Sequence, residues 1–227
     1  MSKTSKSVCY LCGKAIEPKP KSDPMELSWD HVPPRQFYPK QIRKTQKLNL
    51  VKAPSHAKCN GDYKDDEEYF YHSLYPIVAK NNPQMGIFCS QDIQRRAQKP
   101  QTHTIIQKIL STEATITEGG IHLPKGLSRF TLEEGRLERV AAKIARGVLF
   151  LATERYFEEQ QITHMKQYND PSEVIEPYKL AWQLSPFSGV YPKVFSFSHL
   201  PLEGFHHLSM FFWESFMFCV TVKDTAA

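Results

Sequence analysis

The sequence predicts an α+β protein in which a small, loop-rich N-terminal module, residues 1–85, precedes a larger helical and β region, residues 86–227. Two observations support this prediction. Three of the five cysteines lie within the first 59 residues, among prolines and lysines and with little helical periodicity. The later part contains a long segment with helical spacing of apolar residues and two aromatic segments typical of strands.

Length and composition indicate a folded chain with one large or two small domains. The 227 residues are 41% hydrophobic, which is enough for a core. The chain has no run of eighteen apolar residues, and its first residues, MSKTSKSV, lack the apolar segment of a signal peptide. We therefore expect a cytoplasmic protein whose five cysteines do not form a disulfide framework.

The N-terminal module is expected to contain short strands and loops, followed by a helix. The sequence LNLV at 48–51 is the expected strand. Apolar residues over 62–80 have helical spacing, with Pro76 as a possible kink, and NNP at 81–83 ends the helix.

The second region should begin with one or two helices over 91–110, interrupted near Pro100. The segment ATITEGGIHL at 114–123 alternates on both sides of Gly119-Gly120, which predicts a hairpin.

A long helix is expected over residues 132–158. Thr131 and Glu134 have the spacing of a capping box at its start. Its apolar stripe consists of Leu137, Val140, Ile144, Val148 and Leu151.

Two aromatic segments near the C-terminus, VYPKVFSFSHL and HHLSMFFWESFMFCVTV, predict two or three strands with a turn at Glu214-Ser215. Their aromatic residues are expected mainly in the core, with some outward-facing members available to a second copy or a protein partner. The expected core aromatics are Phe211, Phe212, Trp213, Phe216 and Phe218. The histidines His199, His206 and His207 are interpreted as packing or surface residues rather than metal ligands.

Positive charge is concentrated in the first half of the chain. Residues 1–110 contain 18 basic and 10 acidic residues, whereas the remainder contains 11 and 14. Residues 31–61 contain seven basic residues and no acidic one. Such a run favours a phosphate backbone as partner, and the alternative is a solvated basic loop.

Two ligand pairs of the same spacing, Cys9-x-x-Cys12 and His56-x-x-Cys59, predict a zinc site. Four protein ligands complete a tetrahedral shell and leave no position for substrate, so we interpret the zinc as structural. One alternative has Cys89 replacing His56 as the fourth ligand. In another, the cysteines are simply small buried residues.

The zinc pairs bracket an adjacent aspartate and histidine, Asp30-His31, and Asn60 directly follows the last ligand. Aspartate and asparagine oxygens suit Mg²⁺ or Mn²⁺, and His31 could deprotonate a water for attack on phosphorus. The acidic run after Asn60 is interpreted as a helix start, although Glu67 or Glu68 could approach this metal.

The order C-x-x-C, D-H, a central N, H-x-x-C-N and x-x-x-K resembles the HNH endonucleases of the ββα-metal (His-Me finger) group, in their zinc-containing branch. The resemblance covers roughly residues 8–80. It implies a zinc-stapled ββα module that hydrolyses DNA to 5′-phosphate and 3′-hydroxyl ends. By this likeness His31 is the general base, while Asp30 and Asn60 hold the catalytic Mg²⁺ or Mn²⁺.

The same likeness gives Asn49 a role in orienting the base and Lys64 a contact to a phosphate. Two departures are His56 in place of a cysteine and a proline-rich, basic insertion between His31 and Asn49. The nucleic acid, most simply double-stranded DNA, would be held by Arg35, Lys40, Arg43, Lys44, Lys47 and Lys64. Phage defence or mobile-element biology would fit such a nuclease.

Two other functions fit the same sequence. A non-catalytic zinc module could bind nucleic acid through its basic segment alone. Alternatively, zinc could serve structure only, and the aromatic half could bind a protein partner. Binding alone requires none of Asp30, His31 and Asn60, whereas phosphate-led binding should weaken steeply as salt rises.

Overall fold

The computed structural model describes residues 8–125 and 128–225 and has an α+β fold, as the sequence predicts. The N-terminal elements are β1 (Leu27–His31), α1 (Lys40–Gln46), β2 (Lys52–His56), α2 (Ala57–Gly61), α3 (Lys64–Asn81), α4 (Pro83–Ala97) and α5 (Pro100–Leu110). The later elements are α6 (Glu134–Thr153), β3 (Ile162–Tyr168), α7 (Glu176–Leu184), β4 (Ser188–Tyr191), β5 (Phe195–Leu202), β6 (Phe205–Phe212) and β7 (Phe216–Lys223).

Strands β1 and β2 pair antiparallel although α1 lies between them in the sequence, and α2 follows β2 directly. Asp30 lies opposite Ala53 in this ladder. The Asn60 side-chain amide in α2 donates to the Ser28 hydroxyl of β1 at 3.3 Å. The first turn after β2 is therefore held against β1.

The prediction of a strand at 48–51 was wrong, because β2 begins only at Lys52. The ladder ends where His31 pairs with Lys52, and Val32 adds one more bond, to the Val51 carbonyl at 3.1 Å. Two prolines follow Val32 in the sequence, and proline has no N–H to continue a ladder. The prolines therefore end the pairing of the two strands at this point.

Helix α1 was not expected within the basic segment. Its sequence KQIRKTQ contains good helix formers, and its single buried residue, Ile42, attaches it to the core. Lys47 ends the helix in a left-handed conformation with a φ of +47°. A basic, amphipathic turn of this length gives a weak periodic signal.

Helix α3 confirms the helix expected over 62–80. The helices expected over 91–110 are α4 and α5, and α4 begins earlier than expected, at Pro83. Pro76 lies within α3, and the break expected near Pro100 is confirmed. Between α3 and α4, the Asn82 side chain accepts from the Met85 N–H at 3.1 Å and caps the new helix.

Helix α6 is confirmed but shorter than the predicted 132–158. It ends where Glu154 adopts a left-handed φ of +56°. Thr131 does not cap it, since Glu133 is the capping residue without a side-chain bond, and the Thr131 N–H donates to Thr112. The hairpin expected at 114–123 is reduced to isolated bridges.

The C-terminal region forms a five-stranded sheet with the order β3-β7-β6-β5-β4. The two aromatic segments supply β5, β6 and β7, which confirms the two or three strands expected there, whereas β3 and β4 were not expected. The turn predicted at Glu214-Ser215 does connect β6 to β7. His199 contacts His206 at 2.9 Å, and His206 lies 3.3 Å from Asp224. These histidines pack within the sheet region, as expected.

The aromatic core joins the sheet to the N-terminal helices. Phe70 of α3 is fully buried and its ring lies 5.5 Å from that of Phe212 and 5.8 Å from that of Phe218. The Trp213 indole N–H donates to the Phe37 carbonyl at 2.9 Å. The two regions separated at residues 85 and 86 by composition therefore share one hydrophobic cluster.

Within residues 8–125 and 128–225, no helix has the length and apolar character needed to cross a membrane.

Replacing Phe70 by alanine should lower the free energy of unfolding by about 3–5 kcal/mol, because it leaves a cavity between α3 and the sheet. Urea denaturation followed by both tryptophan fluorescence and circular dichroism measures this loss. Phe205→Ala is the control, since that ring is 39% exposed, and should cost less than ~1 kcal/mol. A loss of similar size in both variants would contradict a core shared through Phe70.

Candidate functional site

Three cysteines and one histidine meet near the N-terminus. The ligand atoms of Cys9, Cys12, His56 and Cys59 all lie within 4.8 Å of one another. His56 Nδ1 is 3.3 Å from the Cys12 sulfur and 3.8 Å from the Cys59 sulfur. A tetrahedral zinc site with ordinary bond lengths requires separations of about 3.5–3.8 Å between ligand atoms. The cluster can therefore hold a metal such as zinc, and its fourth member is His56 rather than Cys89.

The turn after the first cysteine depends on glycine. Gly13 has a φ of +72°, and its N–H donates to the Cys9 carbonyl at 2.9 Å. A Cβ at this position would lie 2.8 Å from the Tyr156 ring. Both the backbone conformation and the neighbouring ring exclude a side chain here.

The second pair is placed by the junction of β2 and α2. His56 is the last residue of β2, and Cys59 lies in the first turn of α2. The His56 N–H also points at the Cys9 sulfur, 3.4 Å away. Burial and the neighbouring Cys9 and Cys12 thiols raise the pKa of Cys59 to about 12. A bound cation would reverse this preference by stabilising the thiolates.

Asp30 points into the interior, on the opposite side of β1 from its neighbour His31. Asp30 is 4% exposed, and its Oδ2 accepts from the Tyr10 hydroxyl at 2.5 Å. The same oxygen lies 2.7 Å from Nζ of Lys143, a residue of α6. A carboxylate buried to this extent requires such partners.

The Lys143 ammonium is enclosed by oxygen atoms. Besides Asp30, it pairs with Glu67 Oε1 of α3 and lies 3.4 Å from Asn60 Oδ1. Lys143 is only 1% exposed, so water contributes almost nothing to its stabilisation. Burial opposes the charged form, but Glu67 and Asp30 outweigh it and raise the pKa of Lys143. We call Asp30, Asn60 and Glu67 the oxygen cage.

The oxygen cage has the donor chemistry of a divalent metal site, because two carboxylates and an amide oxygen are ligands that Mg²⁺ and Mn²⁺ prefer. Asp30 and Asn60, the two ligands implied by the resemblance, are indeed brought together. The point on which the oxygens converge is held by Lys143. The donor set thus fits a divalent ion, and the ammonium takes the position.

His31 faces a surface cavity of about 300 Å³. Asn49, Lys52, Arg35 and Arg43 line the same cavity, so the predicted base and the central asparagine do lie together. Burial, followed by the Lys52 and Arg35 charges, lowers the pKa of His31. The neutral imidazole, which is the form a general base needs, therefore predominates at neutral pH.

Arg35 and Arg43 connect this cavity to two others on the same surface. A cleft of about 470 Å³ adds Lys64, Arg95 and Lys99, and a third cavity adds Lys40 and Lys44. Lys47 is exposed at the end of α1. Burial and the nearby Arg35 charge lower the pKa of Arg43, which is a sign of crowded cations. We call these residues the basic surface.

Sequence reasoning missed four residues of these sites. Lys143 and Tyr10 complete the surroundings of Asp30, and Arg95 and Lys99 extend the basic surface. One signal was available for Lys143, which directly precedes Ile144 on the apolar stripe of α6. A lysine on a buried helix face requires a buried partner.

Comparison with protein-family models, curated proteins and solved structures gives no match for this chain.

Replacing Cys59 by serine should abolish stoichiometric zinc binding, because one thiolate of the four-ligand set is lost. We expect about one zinc per wild-type chain and a thermal midpoint that falls on chelation, both measured on protein purified with zinc. The control is Cys89→Ser, which leaves the cluster intact. Retention of zinc by Cys59→Ser together with its loss from Cys89→Ser would show that the ligand set is different.

Proposed function

We propose that this protein is a phosphodiesterase that cuts nucleic acid, with His31 as general base and the basic surface as the phosphate-binding site. One observation carries the proposal. At the end of β1, His31 opens onto a cavity lined by Arg35, Arg43 and Lys52, and burial together with these charges lowers its pKa. A base beside cations that attract phosphate is the arrangement that hydrolysis of a phosphodiester requires.

The chain's own residues supply binding and proton transfer. Arg35 and Arg43 would hold phosphate oxygens on both sides of the scissile bond, since they line all the adjoining cavities of the basic surface. His31 would accept the proton of the attacking water, and Asn49 would lie beside it in the same cavity. Lys64, which lines the adjoining cleft, would contact a neighbouring phosphate.

A divalent ion, when bound, would stabilise the developing negative charge and the leaving oxygen. Asp30 and Asn60 are the residues that would hold it, and Glu67 adds a second carboxylate. DNA is the preferred substrate in this proposal because the resemblance to HNH endonucleases points to it. A homodimer, which would cut both strands, is part of the same proposal.

The second candidate is nucleic-acid binding without cleavage, and one specific observation favours it. Lys143 neutralises the carboxylates on which a divalent ion depends. If that arrangement persists on DNA, the basic surface still binds phosphate, but His31 lacks the electrostatic support for catalysis. Cleavage assays separate the two candidates.

Wild-type protein should relax and linearise supercoiled plasmid with Mg²⁺ or Mn²⁺, and His31→Ala should be at least ~100-fold slower, since a general base contributes about 10²–10⁴ in rate. Gel assays of both proteins with and without EDTA give the comparison. His122→Ala is the matched control because His122 is exposed and outside the basic surface. Equal cutting by wild type and His31→Ala would refute His31 as the base.

Replacing Arg43 by alanine should weaken binding to duplex DNA and reduce the salt slope, d log K/d log[salt], by about 1, because one phosphate contact is lost. Fluorescence anisotropy at several salt concentrations measures both quantities. Arg129→Ala is the control, since Arg129 is 2.5 Å from Glu118 and outside the basic surface. Binding that does not depend on salt or on Arg43 would instead favour a protein-binding function.

A further inference from the structure

We propose that the Lys143 ammonium is the resident cation of the oxygen cage, and that Lys143 and a divalent metal ion exclude each other there. The inference rests on the proposed function and deepens it, because it makes metal loading depend on displacement of an internal lysine. The C-terminal region would thereby control the N-terminal site, since Lys143 belongs to α6.

The hydrogen-bonding capacity of the ammonium matches the cage. A lysine ammonium has three donors and no acceptor, and three oxygens face it, from Asp30, Glu67 and Asn60. Its position 2.7 Å from Asp30 Oδ2 is on the point where the donor oxygens converge. A metal ion bound by the same oxygens at about 2.0–2.1 Å would overlap the nitrogen.

Hydration and charge also forbid joint occupancy. Mg²⁺ keeps several waters when it binds a few protein oxygens. The cage has no space for them while the lysine chain fills it, because Lys143 is 1% and Asp30 4% exposed. Two carboxylates balance one divalent ion, whereas an ion together with the ammonium would leave excess positive charge in a buried place.

The neighbouring groups keep the lysine in the cage. Nζ lies 5.1 Å from the centre of the Tyr63 ring, a cation–π distance. The Gln36 amide donates to the other Glu67 oxygen at 3.2 Å, and the Ser28 hydroxyl accepts from Asn60. These bonds hold the cage side chains in place, so a metal ion that binds them would have to displace Lys143.

Manganese binding tests the exclusion without any activity assay. We would titrate zinc-loaded protein with Mn²⁺ and follow the free ion by electron paramagnetic resonance. Mn²⁺ prefers oxygen donors, so the thiolate cluster should not compete. Lys143→Met should bind one Mn²⁺ at least tenfold more tightly than wild type, and adding Asp30→Asn should remove the gain. Lys80→Met, at an exposed lysine of α3 that lies outside the basic surface, should behave as wild type.

Equal Mn²⁺ affinity in wild type and Lys143→Met would overturn the proposal, as would a gain that survives Asp30→Asn. Circular dichroism establishes that each variant is folded. A second measurement uses the wild type alone, in case Lys143→Met does not fold.

That measurement is amine acylation followed by mass spectrometry, with and without Mn²⁺. Without the ion, Lys143 should react at least tenfold more slowly than the exposed Lys64. At Mn²⁺ concentrations that fill the site, the reactivity of Lys143 should rise, whereas that of Lys64 should stay constant. Bound Mn²⁺ together with a still-protected Lys143 would show coexistence and overturn the proposal.

The outcomes separate this inference from the nuclease proposal. A gain of Mn²⁺ binding in Lys143→Met with no plasmid cleavage by any form would leave the exclusion intact and remove the nuclease function. Metal-dependent, His31-dependent cleavage by wild type in which Lys143 stays protected throughout would support the nuclease function and overturn the exclusion.

Discussion

One buried ion-pair network connects the two regions of this protein. Lys143 of α6 pairs with Asp30 of β1 and with Glu67 of α3. The single ammonium therefore joins three elements that lie far apart in the sequence. Desolvating an ammonium and two carboxylates is costly, and their mutual attraction offsets this only with close geometry. Loss of one partner would leave uncompensated charge inside. The packing of α6 against β1 and α3 therefore depends on the carboxylates of Asp30 and Glu67.

The alternation of β1 separates two electrostatic environments across a single strand. Asp30 faces a closed interior, and His31 faces a surface cavity lined by cations. The interior retains two carboxylates for one lysine, while the surface carries an excess of positive charge. Burial and these cations lower the pKa of His31, which in our proposal accepts the proton of the attacking water. The division arises from strand periodicity and needs no special backbone geometry.

Local patterns were predictable from sequence, and long-range contacts were not. The four members of the cysteine-histidine cluster could be identified because two pairs of the same short spacing suit one tetrahedral ion. The α+β class followed from periodicity. The second strand was expected at 48–51, whereas β2 begins at Lys52. Its start depends on where the pairing with β1 ends, next to the prolines after Val32. Asp30 and Asn60 were correctly paired, but the cation between them comes from residue 143, and no spacing rule reaches that far.

Tyr10 links the metal cluster to the oxygen cage. It follows the ligand Cys9, its N–H donates to the Pro54 carbonyl at 3.1 Å, and its hydroxyl donates to Asp30. The next residue, Leu11, offers its carbonyl to Arg146, one helical turn after Lys143 on α6. The cysteine loop is thereby attached both to β2 and to the helix that carries the competing cation. A metal ion in the cysteine cluster would hold this loop, and with it the distance between Asp30 and α6. In our proposal, that distance sets the geometry in which lysine and a divalent ion compete.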